Sequence, residues 1–320
     1  MQSSARPILL MCRPQYFGVS YIINPWMDPR AWASGGFATS KAAELQWTAF
    51  YDALVNAGSA IECIEPQQQL PDLVFTANAA IVLDGKALLS RFRHPERKRE
   101  EPVFAAAFRT LQANGQISTV TELPQNIVLE GAGDCIWDTH RGQFWMGYGQ
   151  RSDATAASVV ADFFGVGCIA LELADPTFYH LDTAFHVLPT GEIMYFPTAL
   201  TAQARCCIEE QVTPEERIIL EPPDALTFAA NAVSFRHFVI LSSCTNTLRA
   251  NLHKRGFTVV ETPLNAFQLS GGSACCLTLR LDYVQMQSTA QALPKRDYFP
   301  GDIGTLNVVP RQALAKAAGS

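Results

Sequence analysis

A short motif occurs twice in this chain and predicts a fold built by repetition. The sequence Phe-Thr-Ala-Asn-Ala at 75–79 recurs as Phe-Ala-Ala-Asn-Ala at 228–232, and each copy leads directly into strand-like residues. Three further segments share this form of a small polar turn followed by apolar residues. They lie at 130–137, 180–188 and 271–281. The pattern indicates that one supersecondary unit is used several times.

These turn-strand segments recur about every 50 residues, which is the spacing of propeller-like arrays. Five such units nearly fill the 320 residues, so we expect one α/β domain over 1–320, with a short tail from about 290. Turns and strands also recur in ordinary α/β proteins, and the duplicated motif is what favours the repeat. Helices are predicted at 41–57, 101–114, 154–164, 214–220 and 245–255.

Charge and cysteine content exclude several classes of function. The net charge is -6, so a nucleic-acid partner lacks the basic surface that phosphate contacts need, and a small cationic substrate fits better. No stretch approaches the roughly 20 apolar residues of a membrane span. The nine cysteines are odd in number, include the vicinal pairs Cys206-Cys207 and Cys275-Cys276, and form no Cys-x-x-Cys. We therefore expect a cytoplasmic protein with reduced thiols, no zinc site and no cofactor.

One of the vicinal cysteines follows a glycine-rich turn. Cys276 lies after Gly271-Gly272-Ser273, where the glycines allow close backbone approach. A cysteine in an apolar strand is more commonly a buried hydrophobic residue than a nucleophile, and the turn shifts that balance only modestly. The turn alone therefore leaves Cys276 open to either role, buried hydrophobic residue or nucleophile.

Two other turns carry titratable side chains. If the residues around His180 form a strand, His180 and Asp182 share a face, so the carboxylate can orient the imidazole; a packed core histidine is the alternative. Glu130 and Asp134 flank a glycine turn that lacks both a calcium-loop and a phosphate-loop pattern.

These groups together match the needs of one reaction. Hydrolysis of a guanidinium group needs carboxylates that pair with its N–H groups, a nucleophile for its carbon and an acid for the departing ammonia.

In four ordered motifs the chain resembles the guanidino-group-modifying superfamily, also called the amidinotransferase or pentein superfamily. The motifs are 72–78, 130–134, His180-x-Asp182 and Gly272-x-x-x-Cys276-x-Thr278. The resemblance implies a five-fold pseudo-symmetric α/β propeller of ββαβ units. It also implies chemistry like that of arginine deiminase, agmatine deiminase or dimethylarginine dimethylaminohydrolase.

The resemblance also implies roles for individual residues. The family pattern Gly-x-x-x-Cys-x-Ser/Thr selects Cys276, not Cys275, as the nucleophile. His180 becomes the general acid and base, while Glu130 and Asp182 hold the guanidinium or orient His180. We expect Asp134 to bind the substrate as well.

Three further positions complete the expected site. Arg97 and Arg151 resemble the arginines that bind the substrate carboxylate, although exposed solvating charges remain the alternative. Asn24 resembles part of an N-terminal loop that covers the substrate.

Asn78 departs from the deiminase pattern, in which Asp occupies this position. An ionised Asp only accepts hydrogen bonds, whereas an Asn amide also donates, and the ureido oxygen of citrulline needs a donor. With the segments Met-Cys-Arg-Pro at 11–14 and Asn-Pro-Trp-Met at 24–27, Asn78 resembles the arginine dihydrolase branch. That branch converts arginine to ornithine, ammonia and carbon dioxide. Its cyanobacterial members carry a further C-terminal domain, which we expect to be absent here.

Other functions remain compatible with the same residues. A deiminase or dimethylarginine dimethylaminohydrolase would stop at citrulline, an amidinotransferase would need an amine acceptor, and a non-catalytic protein would only bind arginine. The expected partner is a small guanidino or ureido compound, and a homo-oligomer is compatible with the sequence.

Overall fold

The computed structural model describes residues 6–285, so the tail expected from about 290 lies outside the described residues. The described part contains fifteen strands and eight α-helices. The strands are β1 (Ile8–Cys12), β2 (Ala60–Ile64), β3 (Ala80–Leu83), β4 (Lys86–Leu89), β5 (Thr119–Glu122), β6 (Cys135–Asp138), β7 (Gln143–Tyr148), β8 (Gly167–Glu172), β9 (Phe185–Val187), β10 (Ile193–Tyr195), β11 (Arg217–Ile219), β12 (Val233–Phe235), β13 (Phe238–Leu241), β14 (Thr258–Glu261) and β15 (Leu279–Arg280). The helices are α1 (Pro29–Asn56), α2 (Pro95–Lys98), α3 (Glu101–Ala113), α4 (Ala156–Phe164), α5 (Ala202–Gln211), α6 (Pro222–Ala225), α7 (Asn246–Lys254) and α8 (Asn265–Gln268).

The described strands form five three-stranded sheets with one shared connection pattern. The sheets are β15-β1-β2, β3-β4-β5, β6-β7-β8, β9-β10-β11 and β12-β13-β14, which we call units 1 to 5. In each unit the first strand is antiparallel to the middle strand, which is parallel to the third. A helix joins the middle strand to the third. The predicted α/β fold of five ββαβ units is therefore confirmed.

Unit 1 joins the two ends of the described chain. In β15, Arg280 and Leu279 pair with Leu9 and Leu10 of β1, so a strand late in the sequence completes the sheet that the first strand begins. This pairing places the turn before β15, which carries Cys276, beside the turns of units 2, 4 and 5.

Each sheet buries both faces against neighbouring units. Leu9 and Met11 pack with residues of unit 5, whereas Leu10 and Cys12 pack with residues of unit 2. Successive side chains of a strand point to opposite faces, so one strand contributes to two apolar clusters. The middle strands of the five units therefore read as nearly continuous apolar runs, not as alternating ones.

The helix predicted at 214–220 is wrong. The segment contains a short 3-10 turn, Pro214–Glu216, followed by β11, and the helix of this unit is α5. Thr201 caps α5 by accepting a hydrogen bond from the backbone N–H of Ala204. This threonine was the available sequence signal for α5, whose apolar periodicity is weak. No helix within 6–285 has the length and apolar character needed to cross a membrane.

Candidate active site

The turns that precede the first strands meet at one end of the sheets. In units 2, 3 and 4 these turns are the 3-10 helices Thr76–Ala79, Gly131–Gly133 and Leu181–Thr183. Hydrogen bonds connect the turns of different units: the Ala77 N–H donates to the Cys276 carbonyl at 3.2 Å. Residues far apart in the chain therefore line one cavity. Its lining residues are Ile23, Asn24, Asp72, Phe75, Asn78, Arg97, Arg151, Tyr179, Ser270 and Cys276.

Cys276 is buried at this cavity with its thiol between two polar groups. Its Sγ donates to Asp182 Oδ2 at 3.2 Å and accepts from Asn231 Nδ2 at 3.0 Å. Burial, followed by the charge of Asp182, raises the pKa of the Cys276 thiol well above its usual range. The thiol is therefore protonated in the free protein, and a cation bound beside Asp182 would favour the thiolate.

His180 and Glu130 form a buried pair next to the nucleophile's turn. His180 Nε2 lies 2.8 Å from Glu130 Oε2, and Arg151 Nη1 donates to the same oxygen at 2.9 Å. Burial alone would raise the pKa of Glu130, but Arg151 and His180 together hold it well below its usual range. Glu130 is therefore ionised at neutral pH and can orient the imidazole for proton transfer.

His180 and Asp182 do not share a strand face, because the residues around them do not form a strand. His180 is extended, whereas Asp182 lies inside the 3-10 helix that follows it. His180 consequently faces Glu130, and Asp182 faces Cys276. The two residues thus serve opposite sides of the site.

Asp182 keeps one oxygen without a partner. Within residues 6–285, Oδ1 is buried and has no hydrogen bond, while Oδ2 accepts from Cys276. Burial raises the pKa of Asp182 to about 7, although the hydrogen bond from Cys276 opposes this shift. A buried acceptor with an unmet hydrogen bond matches a guanidinium N–H donor.

Arg97 and Arg151 are both buried, at 3% and 2% exposure, so the alternative of exposed solvating charges is wrong. Arg97 is paired with Glu100 at 2.8 Å, and its Nη1 donates to Asn78 Oδ1 at 2.8 Å. Arg151 bonds to Glu130 and stacks over the Tyr179 ring at 4.5 Å. Both guanidinium groups line the cavity, where they can attract a substrate carboxylate.

The N-terminal loop reaches the cavity through Ile23 and Asn24, and its role as a substrate-covering segment stays a prediction. Asn24 Nδ2 donates to the Ser270 carbonyl at 3.0 Å, and the Ile23 carbonyl accepts from Arg151 Nη2 at 2.9 Å. Farther along, Trp26 Nε1 donates to the Thr177 carbonyl at 2.8 Å. These bonds hold the loop against residues of units 3, 4 and 1.

Asp134 lies behind the turn that carries His180. Its Oδ2 accepts from Ser152 Oγ at 2.6 Å and its Oδ1 accepts from the Leu181 N–H at 3.0 Å. Asp134, like Glu130, His180 and Asp182, is not among the residues that line the cavity. Both of its carboxylate oxygens already accept hydrogen bonds, and the substrate contact expected from the resemblance stays a prediction.

Two residues with no role predicted from the sequence also belong to the site. Asn231 bonds to Cys276, and its position in the duplicated motif at 228–232 was the available signal. Asp72 lines the cavity and accepts from Tyr21 Oη at 2.8 Å and from Ser270 Oγ at 3.1 Å. Asp72 begins the motif at 72–78, so its place in that motif was the signal.

Gly131 is required by the turn that presents Glu130. Its φ is +66°, and an added Cβ would lie 2.7 Å from the Ala77 carbonyl oxygen. Gly142 has φ +65° but no atom within 4 Å of an added Cβ, so it isolates the effect of backbone strain.

We expect Gly131→Ala to lower the free energy of unfolding by about 2–4 kcal/mol, because strain and steric overlap add. Gly142→Ala should lower it by only about 1 kcal/mol. Denaturant unfolding of both variants checks this difference. Equal losses of stability would contradict the steric overlap inferred at Gly131.

Comparison with known proteins identifies relatives over most of the chain. A family model described as N,N-dimethylarginine dimethylhydrolase, eukaryotic, matches residues 29–282. The chain is 41% identical over 273 residues to the bifunctional arginine dihydrolase/ornithine cyclodeaminase ArgZ of Synechocystis sp.. It is 34% identical over 275 residues to the N(G),N(G)-dimethylarginine dimethylaminohydrolase of Mycobacterium tuberculosis, covering 85% of this chain and 84% of that protein.

The match to the cyanobacterial protein is confined to one part of it. It covers 85% of this chain and 37% of ArgZ. The crystal structure of the N-terminal domain of ArgZ, as a mutant bound to substrate, superposes with a TM-score of 0.81 at 39% identity. That superposition covers 88% of this chain and 100% of the ArgZ domain.

Proposed function

This chain belongs to the dimethylarginine dimethylaminohydrolase-like branch of the pentein superfamily, and we propose that it is an arginine dihydrolase. The reaction converts arginine and water to ornithine, ammonia and carbon dioxide. Relatives that are about 40% identical carry this activity in their names, which supports the proposal. Hydrolysis of a guanidino C–N bond is the shared chemistry of the branch.

The observation that carries the proposal is Asn78 at the cavity. Arg97 Nη1 donates to Asn78 Oδ1 and thereby orients the amide, and Asn78 Nδ2 donates to the Glu130 carbonyl at 3.0 Å. Nδ2 has two hydrogens, and within residues 6–285 the second has no acceptor. That hydrogen can be donated to a ureido oxygen, which an aspartate could not do.

In the first half of the reaction, the Cys276 thiolate attacks the guanidinium carbon while Asp182 and Glu130 stabilise the cation. The carbon–nitrogen bond breaks, and His180 gives its proton to the departing ammonia. A thiouronium remains on the sulfur. His180 then takes a proton from water, the hydroxide adds to the same carbon, and the carbon–sulfur bond breaks to form citrulline.

In the second half, the same thiolate attacks the ureido carbon of citrulline. Ammonia leaves again with a proton from His180, and a thiocarbamate remains on Cys276. Water cleaves the carbon–sulfur bond, and the resulting carbamate loses carbon dioxide to give ornithine. Retention of citrulline by Asn78 is what allows this second cycle.

A dimethylarginine dimethylaminohydrolase is the second candidate, because the matching family model and the mycobacterial relative carry that description. It would use the same thiol and stop at citrulline. An amidinotransferase would form product only with an amine acceptor, and a binding protein would release no ammonia.

Mass-spectrometric analysis of products from arginine tests the proposal. Ornithine without accumulated citrulline is the expected result, with two ammonia molecules released for each ornithine. Citrulline as the end product contradicts the dihydrolase assignment. Parallel rates with citrulline, agmatine and methylated arginines separate the related activities.

We expect Asn78→Asp to convert the enzyme into one that stops at citrulline. The carboxylate removes the donor to the ureido oxygen, so ornithine formation should fall about a hundredfold or more, whereas arginine consumption stays within about tenfold. Product ratios over time measure this change. Asn114→Asp, at an exposed helix end, is the matched control and should keep the wild-type ratio.

A further inference from the structure

Asn231 lies at the same position in its repeat as Asn78, but it contacts a different part of the site. The residue is fully buried in the turn before β12. Asn78 lines the substrate cavity, whereas Asn231 lies behind Cys276 and is not a lining residue. The asparagines of the two motif copies therefore occupy different parts of the site.

The amide of Asn231 holds Cys276 at two atoms. Its Oδ1 accepts from the Cys276 backbone N–H at 3.1 Å, and its Nδ2 donates to Cys276 Sγ at 3.0 Å. Nδ2 also donates to the Asp182 carbonyl at 3.1 Å. Because a backbone N–H can only donate and a carbonyl can only accept, these partners determine which end of the amide is oxygen.

The hydrogen bond to sulfur acts differently on the two forms of Cys276. Asp182 Oδ2 accepts from the thiol, and this contact favours the protonated sulfur. Asn231 Nδ2 donates to Sγ, and a donor favours the thiolate. A hydrogen bond from the Ser273 backbone acts in the same direction, so the sulfur lies between one group that retains its proton and donors that stabilise its charge.

We propose that Asn231 is a positioning residue that stabilises the Cys276 thiolate and directs it at the substrate carbon. The proposal rests on the role of Cys276 as the nucleophile in the proposed function. Asn231 acts through Cys276, without touching the substrate. Because both cycles of the reaction use the same thiolate, Asn231 serves both equally, whereas Asn78 serves only the second.

The test measures the sulfur directly, in the absence of arginine. Iodoacetamide alkylates thiolates, and fragment-ion mass spectrometry distinguishes Cys276 from Cys275. In Asn231→Asp, which has the same size but lacks the donor, we expect alkylation of Cys276 at pH 7 to slow about tenfold to a hundredfold. The alkylation midpoint should move up by about one pH unit or more.

Asn231→Ala is the second variant, because it removes the donor without burying a new charge. We expect the same direction of change in alkylation, and a fall of about tenfold or more in kcat with little change in KM for arginine. Asn246→Asp, an exposed asparagine in the same unit, is the matched control and should leave both measurements unchanged. Circular dichroism establishes that each variant is folded.

An alkylation midpoint that stays at the wild-type pH in both variants overturns the proposal, even when activity falls, because a purely structural role would produce that result. Failure of the proposed function has a different signature. If arginine yields no ornithine but the alkylation profile shifts as expected, Asn231 still positions the thiolate and only the dihydrolase assignment fails.

Discussion

Replacing Cys276 with alanine is expected to lower kcat for arginine by about ten-thousandfold or more, while arginine still binds. The thiol is the group that forms the covalent bond in both halves of the proposed reaction, and the nearby carboxylates and imidazole cannot replace it as nucleophile. The side chain is small and buried, so its removal leaves the carboxylates and arginines of the cavity in place. Stopped assays of ammonia release measure kcat, and calorimetry measures arginine binding.

Cys206→Ser is the matched control for this prediction, because Cys206 is an exposed thiol on α5. It should retain wild-type kcat. A Cys276→Ala protein with full activity would falsify the mechanism. Loss of arginine binding together with loss of activity would instead indicate that the variant has lost the structure of the site, which circular dichroism would detect.

Asp182→Asn is expected to lower kcat/KM for arginine by about a hundredfold to a thousandfold and to remove an acidic limb from the pH profile. Burial raises the pKa of Asp182 to about 7. Below that pH the carboxyl is protonated, so it cannot pair with a guanidinium cation or accept a charge-assisted hydrogen bond. In the wild-type protein kcat/KM should therefore rise with pH and level off above about 7.

The sign of this shift also predicts the stability of the free protein. Because the pKa of Asp182 is higher in the folded than in the unfolded state, the contribution of this group to stability is fully present below about pH 4, falls as pH rises from there and is lost above about 7. Bound arginine should offset that loss by supplying the missing positive charge. Thermal unfolding with and without arginine, at pH 5 and pH 8, measures the effect.

Asp162→Asn, at an exposed position of α4, is the control for Asp182→Asn and should keep both the rate and the pH limb. Asp134 is the other carboxyl near His180 with a raised pKa, at about 6. A limb that persists at the same pH in Asp182→Asn would therefore assign the titration to another group and contradict the role given to Asp182.

The repeat and the reactive residue types could be predicted from the sequence. Strand-like segments after polar turns predict recurring units, since side-chain alternation and turn chemistry are local properties. The motifs singled out Glu130, His180 and Asp182, and these residues meet in one buried site with Cys276. The helix at 214–220 was predicted wrongly because a proline and a capping threonine outweigh a short apolar pattern.

The distances within the site could not be predicted, because they depend on how the units close. His180 and Glu130 are 50 positions apart in the chain and 2.8 Å apart in space. The pairing of β15 with β1 brings Cys276 to the same place, and no local pattern specifies that pairing. The burial of Arg97 and Arg151 likewise follows from tertiary packing.

Local patterns along the chain thus predict the repeated unit, the kinds of reactive groups and the amide at position 78. Which of these groups touch depends on the folded arrangement: Asp134 bonds to the turn that carries His180, and Asn231 bonds to the Cys276 sulfur. Residue type and local conformation are set along the chain, whereas hydrogen bonds and pKa shifts depend on neighbours that the closed arrangement of five units supplies.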